Sequence, residues 1–361
     1  MIRMEHLEEY CLNLTAFGPV FVGCGKIYGK NSYLFDPRTK RVSFIQEEAL
    51  FRWLVQTGHV DSYEEAVLCG RPFNLAQFLR QCGISDKERH ALIRYEVSAG
   101  EILDETHSLK QIHAFMRDGQ GRAYVPGSSV KGALRTALLH AILIRDDSGK
   151  ERNLKPVRKS YEIAESDYFN TLKLKNSRPG DMVNSIMRGI SVADSKPLPD
   201  TTLILSNKLD INPDGRLSLP NLVRECIAPG TELTFRLTLD RSVLGKNWTL
   251  EQLKQDIALF SQYYQNTFQT RFPEPQGGRI SNGNFLLLGG GSGFFGKTAV
   301  YPLLGYERAS QFTQKQMQQV FRNHKHEQDL RRYRISPHCM KYTWTRHGTR
   351  EFGLCKVEIQ E

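Results

Sequence analysis

Lys131 and Arg135 stand four residues apart in YVPGSSVKGALRTALL, Tyr124 to Leu139. That spacing puts two side chains on one face of a helix. Tyr124 and Val125 read as the end of a strand, Pro126 and Gly127 as a turn, and Ser128 or Ser129 as the N-cap. Val130, Leu134, Ala137, Leu138 and Ala141 form the apolar face. No Glu or Gln follows either Ser by three residues, so no capping box closes the helix start. Open backbone donors, a positive dipole end and two cations suit an anion such as phosphate. The same residues also fit an ordinary core helix with two solvated cations. A second candidate is GSGFFGKT, Gly291 to Thr298, which satisfies the G-x-x-x-x-G-K-[ST] spacing of a phosphate loop. Its context argues against nucleotide hydrolysis. A phosphate loop opens a helix, whereas AVYPLL is β-branched and contains Pro302, and no later strand ends in the acid that such domains require. The backbone amides of Gly291, Ser292 and Gly293, with Lys297 and the pair Phe294 and Phe295, suit instead a sugar-phosphate chain whose bases stack. A glycine-rich turn with two core aromatics would look the same. A third candidate is GCGKIYGKNSY, where Gly23, Gly25 and Gly29 surround Lys26 and Lys30. Glycines there permit close backbone approach to a ligand, though a hairpin also uses them.

These pieces need a scaffold. A chain of 361 residues allows roughly two domains. Apolar content of 40% and charged content of 24% describe a soluble globular protein. The net charge of +10 points to a polyanionic partner, most often nucleic acid. Seven scattered Cys residues show no C-x-x-C pair and no zinc spacing, which predicts reduced thiols in a cytosol. The N-terminus lacks an apolar signal region, and no run approaches the roughly 18 apolar residues of a membrane span.

Alternation predicts strands over Glu9–Val22, Tyr33–Phe35, Leu109–Arg117, Leu203–Leu209, Thr231–Leu239, Gly283–Leu288 and Phe352–Ile359. Helical patterns fall near Glu47–Thr57, Ser62–Cys69, Leu75–Cys82 and Asp86–Val97, which reads as a helical insertion between strands. Further helices are predicted over Glu162–Leu174, Leu250–Thr267 and the basic stretch Gln314–Arg334, with an exposed loop over Asp146–Arg158. Residues Asn176–Asp200 read as a long irregular segment, the kind that often binds something. Each half is strand-rich with one or two helices. This predicts an α+β fold with antiparallel sheets, built from ferredoxin-like units. The predicted divisions are 1–165 with a helical insertion at about 46–99, an irregular insertion over 166–215, and 216–361 with the glycine-rich loop.

Taken together, VPGSSVKGALRTALL and GGGSGFFGKT resemble the signature helix and the C-terminal glycine-rich loop of the RAMP proteins of CRISPR systems. The order FVGCG…NSYLFD, VPGSSVKGALRT, SVADS, IAPGT, GGGSGFFGKT and SPHCMKYT is most similar to the fifth-subunit family of type III-A (Csm) effector complexes, over most of the chain. The resemblance implies two ferredoxin-like (RRM-like) RAMP units and a non-enzymatic, cytoplasmic subunit. Such a subunit caps the backbone filament, binds the 3′ part of the crRNA and is needed for crRNA maturation. Its neighbours would be the repeated backbone subunit and the small helical subunit, with target RNA nearby; no metal or cofactor is implied. Lys26, Lys30, Lys131, Arg135 and Lys297 would then meet phosphates, helped by Ser128, Ser129 and the loop Gly291–Gly293, while Phe294 or Phe295 stacks on a base. The backbone subunit of these complexes cuts target RNA with an Asp in a G-x-D-N-P-like setting. The matching stretch here is YGKNSY, with Lys30 where that acid would stand and Asp36 the nearest acid. A Lys cannot hold a metal there, but it can pair with a phosphate. Some relatives cleave RNA without metal through His or Tyr with Lys. His107, His113 and His140 are the candidates for that alternative, a metal-independent RAMP endoribonuclease.

Overall fold

Leu12, Leu14 and Ala16 are buried while the residues between them are half-exposed, the period of a strand packed on one face. The structure, a computed structural model, describes residues 6–69, 73–100, 102, 111–146, 154–157, 160–163, 165–220 and 222–361. In it, Leu7–Ala16 lies near the middle of a five-stranded antiparallel sheet. Glu232–Asp240 and then Ile190–Val192 flank it on one side, Leu354–Gln360 and then Phe285–Leu287 on the other. Segments 1–165 and 216–361 therefore share one sheet.

A seven-stranded sheet runs in the order Gly23–Tyr28, Ile112–Phe115, Val223–Ile227, Leu203–Asn207, Ile93–Ser98, Arg41–Ile45, Tyr33–Asp36. Two of its neighbour pairs are parallel and the rest antiparallel. A smaller antiparallel sheet joins Leu217–Ser218, Leu209–Ile211, Met340–Thr345 and Gly348–Glu351. The helices Gly127–Arg145 and Leu250–Thr267 pack on each other and on the edge strand Phe285–Leu287. One continuous apolar core joins these layers. The architecture is mixed α and β with several antiparallel sheets. Among the described residues no helix is long and apolar enough to cross a membrane.

The helical insertion comprises Glu47–Thr57, Val60–Leu68, Leu75–Gln81 and Asp86–Ala91. It has its own core of Leu50, Trp53, Leu54, Leu75, Phe78 and Leu79. Its last helix opens on a capping box, Ser85 with Glu88, and stops at Ala91. The expected continuation to Val97 is instead the strand Ile93–Ser98, because Tyr95 and Val97 alternate and pair against Arg41–Ile45. The expected helix over Glu162–Leu174 is likewise replaced by a strand, Ser160–Ile163, and a single helical turn, Ser166–Phe169. Of the expected loop Asp146–Arg158, residues 147–153 and 158 lie outside the described residues, and Leu154–Val157 is the partner strand of that hairpin. Residues 109 and 110 also lie outside them. The helix expected over the basic stretch ends at Val320, and a 3-10 turn and the short helix Asp329–Tyr333 follow.

Candidate nucleic-acid interface

The helix Gly127–Arg145 starts two residues earlier than a cap at Ser128 would place it and three earlier than a cap at Ser129. Pro126 holds the N-cap position, and neither Ser128 nor Ser129 caps. Backbone contacts with the segment SVADS set the start. Val125 N donates to Ser195 Oγ at 2.9 Å and Ser195 N to Val125 O at 3.0 Å. Gly127 N donates to Asp194 Oδ1 at 2.8 Å. The acid that the local sequence lacks thus arrives from a distant segment, and the helix end is not an open anion site. Gly127 is required by this approach: a Cβ there would lie 2.0 Å from Val192 O and 2.6 Å from Ala193 O.

A cleft of about 640 Å³ opens along one stripe of this helix, Ser129, Gly132, Ala133 and Thr136. Facing it are Phe21, Gly25 and Lys26 from the first glycine turn, and Gly290, Gly296 and Lys297 from the second. His113 also lines it. The two turns touch directly. Gly290 N donates to Phe21 O at 2.7 Å, and a Cβ on Gly289, which has φ +80°, would fall 2.1 Å from that oxygen. The strand Gly23–Tyr28 shifts register against Ile112–Phe115 between Gly23 and Ile27, a bulge that carries Gly25 and Lys26 outward. Lys26 is exposed, bonded to Glu47 of the helical insertion at 3.2 Å and lying 4.8 Å over the Tyr28 ring. Lys297 is exposed.

Other expected contacts fall elsewhere. Lys131 and Arg135 do not line the cleft. Lys131 is two residues from Ser129, roughly 200° around the helix. Arg135 binds Glu165 at 2.5 Å and lies 4.4 Å over the Phe169 ring. Lys131 is half-buried, and burial followed by the nearby Arg135 lowers its pKa. Ser128 is exposed, Lys30 is half-buried, and neither lines the cleft.

The glycine loop is a packing device as much as a surface. Ser292 is buried, Gly291 abuts the Phe352 ring, and a Cβ on Gly293 would meet Lys341 Cγ at 2.6 Å. Phe295 is buried and stacked 4.7 Å from Phe268, which rules it out as a base-stacking residue. Phe294 is half-buried and packs on the same core. The amides of Lys297 and Thr298 both donate to Phe294 O, so they are turned inward. A helix does follow the loop, contrary to the sequence expectation: Val300–Leu304, with Pro302 in its first turn, where no amide is needed. The preceding strand Phe285–Leu287 is nevertheless an antiparallel edge strand, and that setting with inward amides excludes a nucleotide phosphate loop.

Of the three histidines, His107 lies outside the described residues. His140 is fully buried against the edges of Phe260 and Tyr263. Burial pushes its pKa down to about 4, so it takes no part in surface chemistry. An unfolded imidazole, near 6.5, binds a proton where the native one does not. Stability is therefore full above about pH 6.5 and falls as pH drops toward 4. Denaturant unfolding at pH 7 and pH 4.5 is expected to show a loss of about 2–3 kcal/mol from this group, and His140→Leu is expected to remove it. Identical pH profiles for both proteins would refute the assignment. His113 is different. It lines the cleft, edge-on to Phe21, and burial together with Arg224 lowers its pKa.

Sequence reasoning missed Phe21, Gly132, Thr136 and Arg224. Arg224 stands opposite His113 in a parallel pairing and lies 5.3 Å over Phe21. Only the small-residue stripe, Ser129, Gly132, Ala133 and Thr136 at helical spacing, was there to be read.

A glycine loop facing a long helix across a cleft, on a mixed α and β scaffold with several antiparallel sheets, frames the class. The chain belongs to the RAMP superfamily, whose model matches residues 13–298. More particularly, it is similar to the CRISPR system Cms protein Csm5 of Mycobacterium tuberculosis (strain CDC 1551 / Oshkosh), 28% identical with 98% of each chain covered. The Csm5 protein of Enterococcus italicus is 27% identical, over 88% of this chain and 87% of that one. Among solved structures, a chain in the cryo-EM structure of a Csm–crRNA–target RNA ternary complex of a type III-A CRISPR-Cas system shares the fold. Its TM-score is 0.65 at 18% identity, with 97% of this chain and all of that one covered. The crystal structure of T. onnurineus Csm5 has a TM-score of 0.59 at 18% identity, covering 95% of this chain and 99% of that one.

Proposed function

We propose that this protein is a non-catalytic, cytoplasmic subunit of a type III-A CRISPR interference complex. It binds the 3′ part of the crRNA, caps the backbone filament and supports crRNA maturation. Its neighbours are the repeated backbone subunit and the small helical subunit, with target RNA nearby. The division into two ferredoxin-like units, 1–165 and 216–361, belongs to the same proposal. The observation that carries it is the cleft between the signature helix and the two glycine turns, with the cations Lys26 and Lys297 on its wall. Lys30 in place of a catalytic acid supports the non-catalytic reading, as does Asp36, whose carboxylate accepts from Arg38 N and Thr39 Oγ1 of its own turn. The test is co-purification. A tagged copy expressed with its CRISPR locus carries RNA of a discrete length ladder that sequences as crRNA; random RNA fragments, or none, refute the proposal.

Gly132 separates function from fold. It is exposed inside a helix, and a Cβ there would meet nothing within 4 Å. Gly132→Ala is expected to raise stability by about 0.5–1 kcal/mol. The added methyl group projects into the cleft and is expected to weaken RNA binding several-fold. Thermal unfolding and RNA titration of one preparation check both; a variant that binds as well as the parent would show that RNA does not enter there.

His113 in the cleft supports a second reading, metal-independent cleavage of CRISPR RNA with His113 and a cleft Lys as acid and base. Purified protein incubated with repeat RNA in EDTA decides. A fixed cut lost in His113→Ala supports cleavage, and intact RNA supports the binding role.

A further inference from the structure

Between the helix Tyr306–Val320 and the strand Met340–Thr345 the chain folds back on itself and points three ligand-type atoms at one spot. His326 Nδ1 lies 2.9 Å from Asp329 Oδ2, and His338 Nδ1 lies 2.6 Å from Asp329 Oδ1. All three groups come within 4.8 Å of one another. Asp329 is fully buried, His326 nearly so, and His338 is about one-fifth exposed. This cluster is remote in sequence from every residue of the cleft described above.

The charge balance is unusual. A fully buried carboxylate ordinarily needs a cation. No Lys or Arg pairs with Asp329 among the described residues; its donors are the two imidazoles and Ser336 Oγ, at 2.7 Å. The surroundings also hold the ligands in place. Ser336 anchors the carboxylate, Tyr333 stacks on His338 and His324 stacks on His326. Outer contacts of this kind fix ring orientation in metal centres.

We propose that His326, Asp329 and His338 form a binding site for a divalent cation of the zinc class. Two imidazoles and one carboxylate are a zinc ligand set, and imidazole disfavours calcium and magnesium. Ligands about 2 Å from a tetrahedral metal stand about 3.3 Å apart, so the two contacts to Asp329 open by less than about 1 Å while the wider separations in the cluster, which reach no more than 4.8 Å, close by up to about 1.5 Å. In binding the ion each Nδ1 gives up its hydrogen bond to Asp329, and the ring proton resides on Nε2. The ligands bracket Arg331 and Arg332, and the bound ion ties that basic segment to the sheet.

The test uses the full chain, stripped with a chelator and titrated with zinc chloride or cobalt chloride. One zinc per chain, with micromolar or tighter affinity and a raised thermal midpoint, is expected. Cobalt is expected to give the visible band of a tetrahedral nitrogen and oxygen site. His338→Gln, at the most exposed ligand, is expected to weaken zinc binding at least tenfold. The proposal is overturned if the native chain takes up no zinc, if His338→Gln binds as the parent does, or if cobalt shows a sulfur charge-transfer band, which would assign the ion to cysteine. The cobalt spectrum of the unsubstituted chain keeps the test valid should the variant fail to fold.

Discussion

Under the proposed role, exchanging Lys26 and Lys297 together for glutamate is expected to lower guide-RNA affinity by at least on the order of a hundredfold at physiological salt, with an unchanged circular dichroism spectrum. Both ammonium groups are exposed and line one cleft, so each can meet a phosphate without moving the backbone. Each lost contact also flattens the salt dependence by roughly 0.7 log units of affinity per log unit of salt. The double variant is therefore expected to reduce the slope by about 1.4, and a titration at four salt concentrations measures it. The fold survives because the bond of Lys26 to Glu47 is a solvent-exposed pair, a kind that contributes little. Lys131→Glu with Arg135→Glu is the contrasting pair. Arg135 is committed to Glu165 and Phe169, so that exchange is expected to disturb the helix and leave the slope nearly unchanged. RNA loss confined to the Lys131 and Arg135 variant, with its fold intact, would move the interface to the other flank.

Gly127→Ala is expected to destabilise the protein by about 3 kcal/mol or more. The methyl carbon would sit 2.0 Å from one backbone oxygen and 2.6 Å from another, and no rotamer change relieves a backbone clash. Relief requires that the segment Val192–Asp194 move away from the helix. That movement breaks the bond from Gly127 N to Asp194 and strains the paired bonds between Val125 and Ser195. Denaturant midpoints of Gly127→Ala and Gly132→Ala, two positions five residues apart on one helix, are expected to shift in opposite directions. A Gly127→Ala variant within about 1 kcal/mol of the parent would mean that the SVADS segment does not clamp the helix start.

The contrast between those glycines shows what a single sequence can reveal. Both occur in VPGSSVKGALRT, where the sequence reads Gly127 as a turn and Gly132 as a helix residue, and neither reading shows that only Gly127 is pressed against a distant segment. The helix itself was legible, since Val130, Leu134, Ala137, Leu138 and Ala141 repeat at its period and are all buried. Leu250–Thr267 and Glu47–Thr57 were legible for the same reason. The cap was not, because its acid comes from Asp194, beyond the reach of any local pattern. Lys131 and Arg135, four residues apart, read in the sequence as a pair facing a ligand, whereas the structure sets both outside the cleft. Only the position of Glu165 and Phe169 shows that Arg135 is already occupied. The aromatic pair misled in a similar way. Phe295 is a core residue, and Phe21, which the sequence placed at the end of a strand, is the ring that lines the cleft. The two glycine turns were legible as turns, but their contact through Phe21 and Gly290 is tertiary.

The strand Leu7–Ala16 takes hydrogen bonds from Glu232–Asp240 on one edge and from Leu354–Gln360 on the other. During synthesis it leaves the ribosome long before either partner exists. At translation rates of 5–20 residues per second, it waits on the order of half a minute with both edges open. An alternating apolar strand in that state is a template for pairing with another chain. That interval, in which the strand is most open to pairing with another chain, closes only when Leu354–Gln360 emerges and completes its second edge.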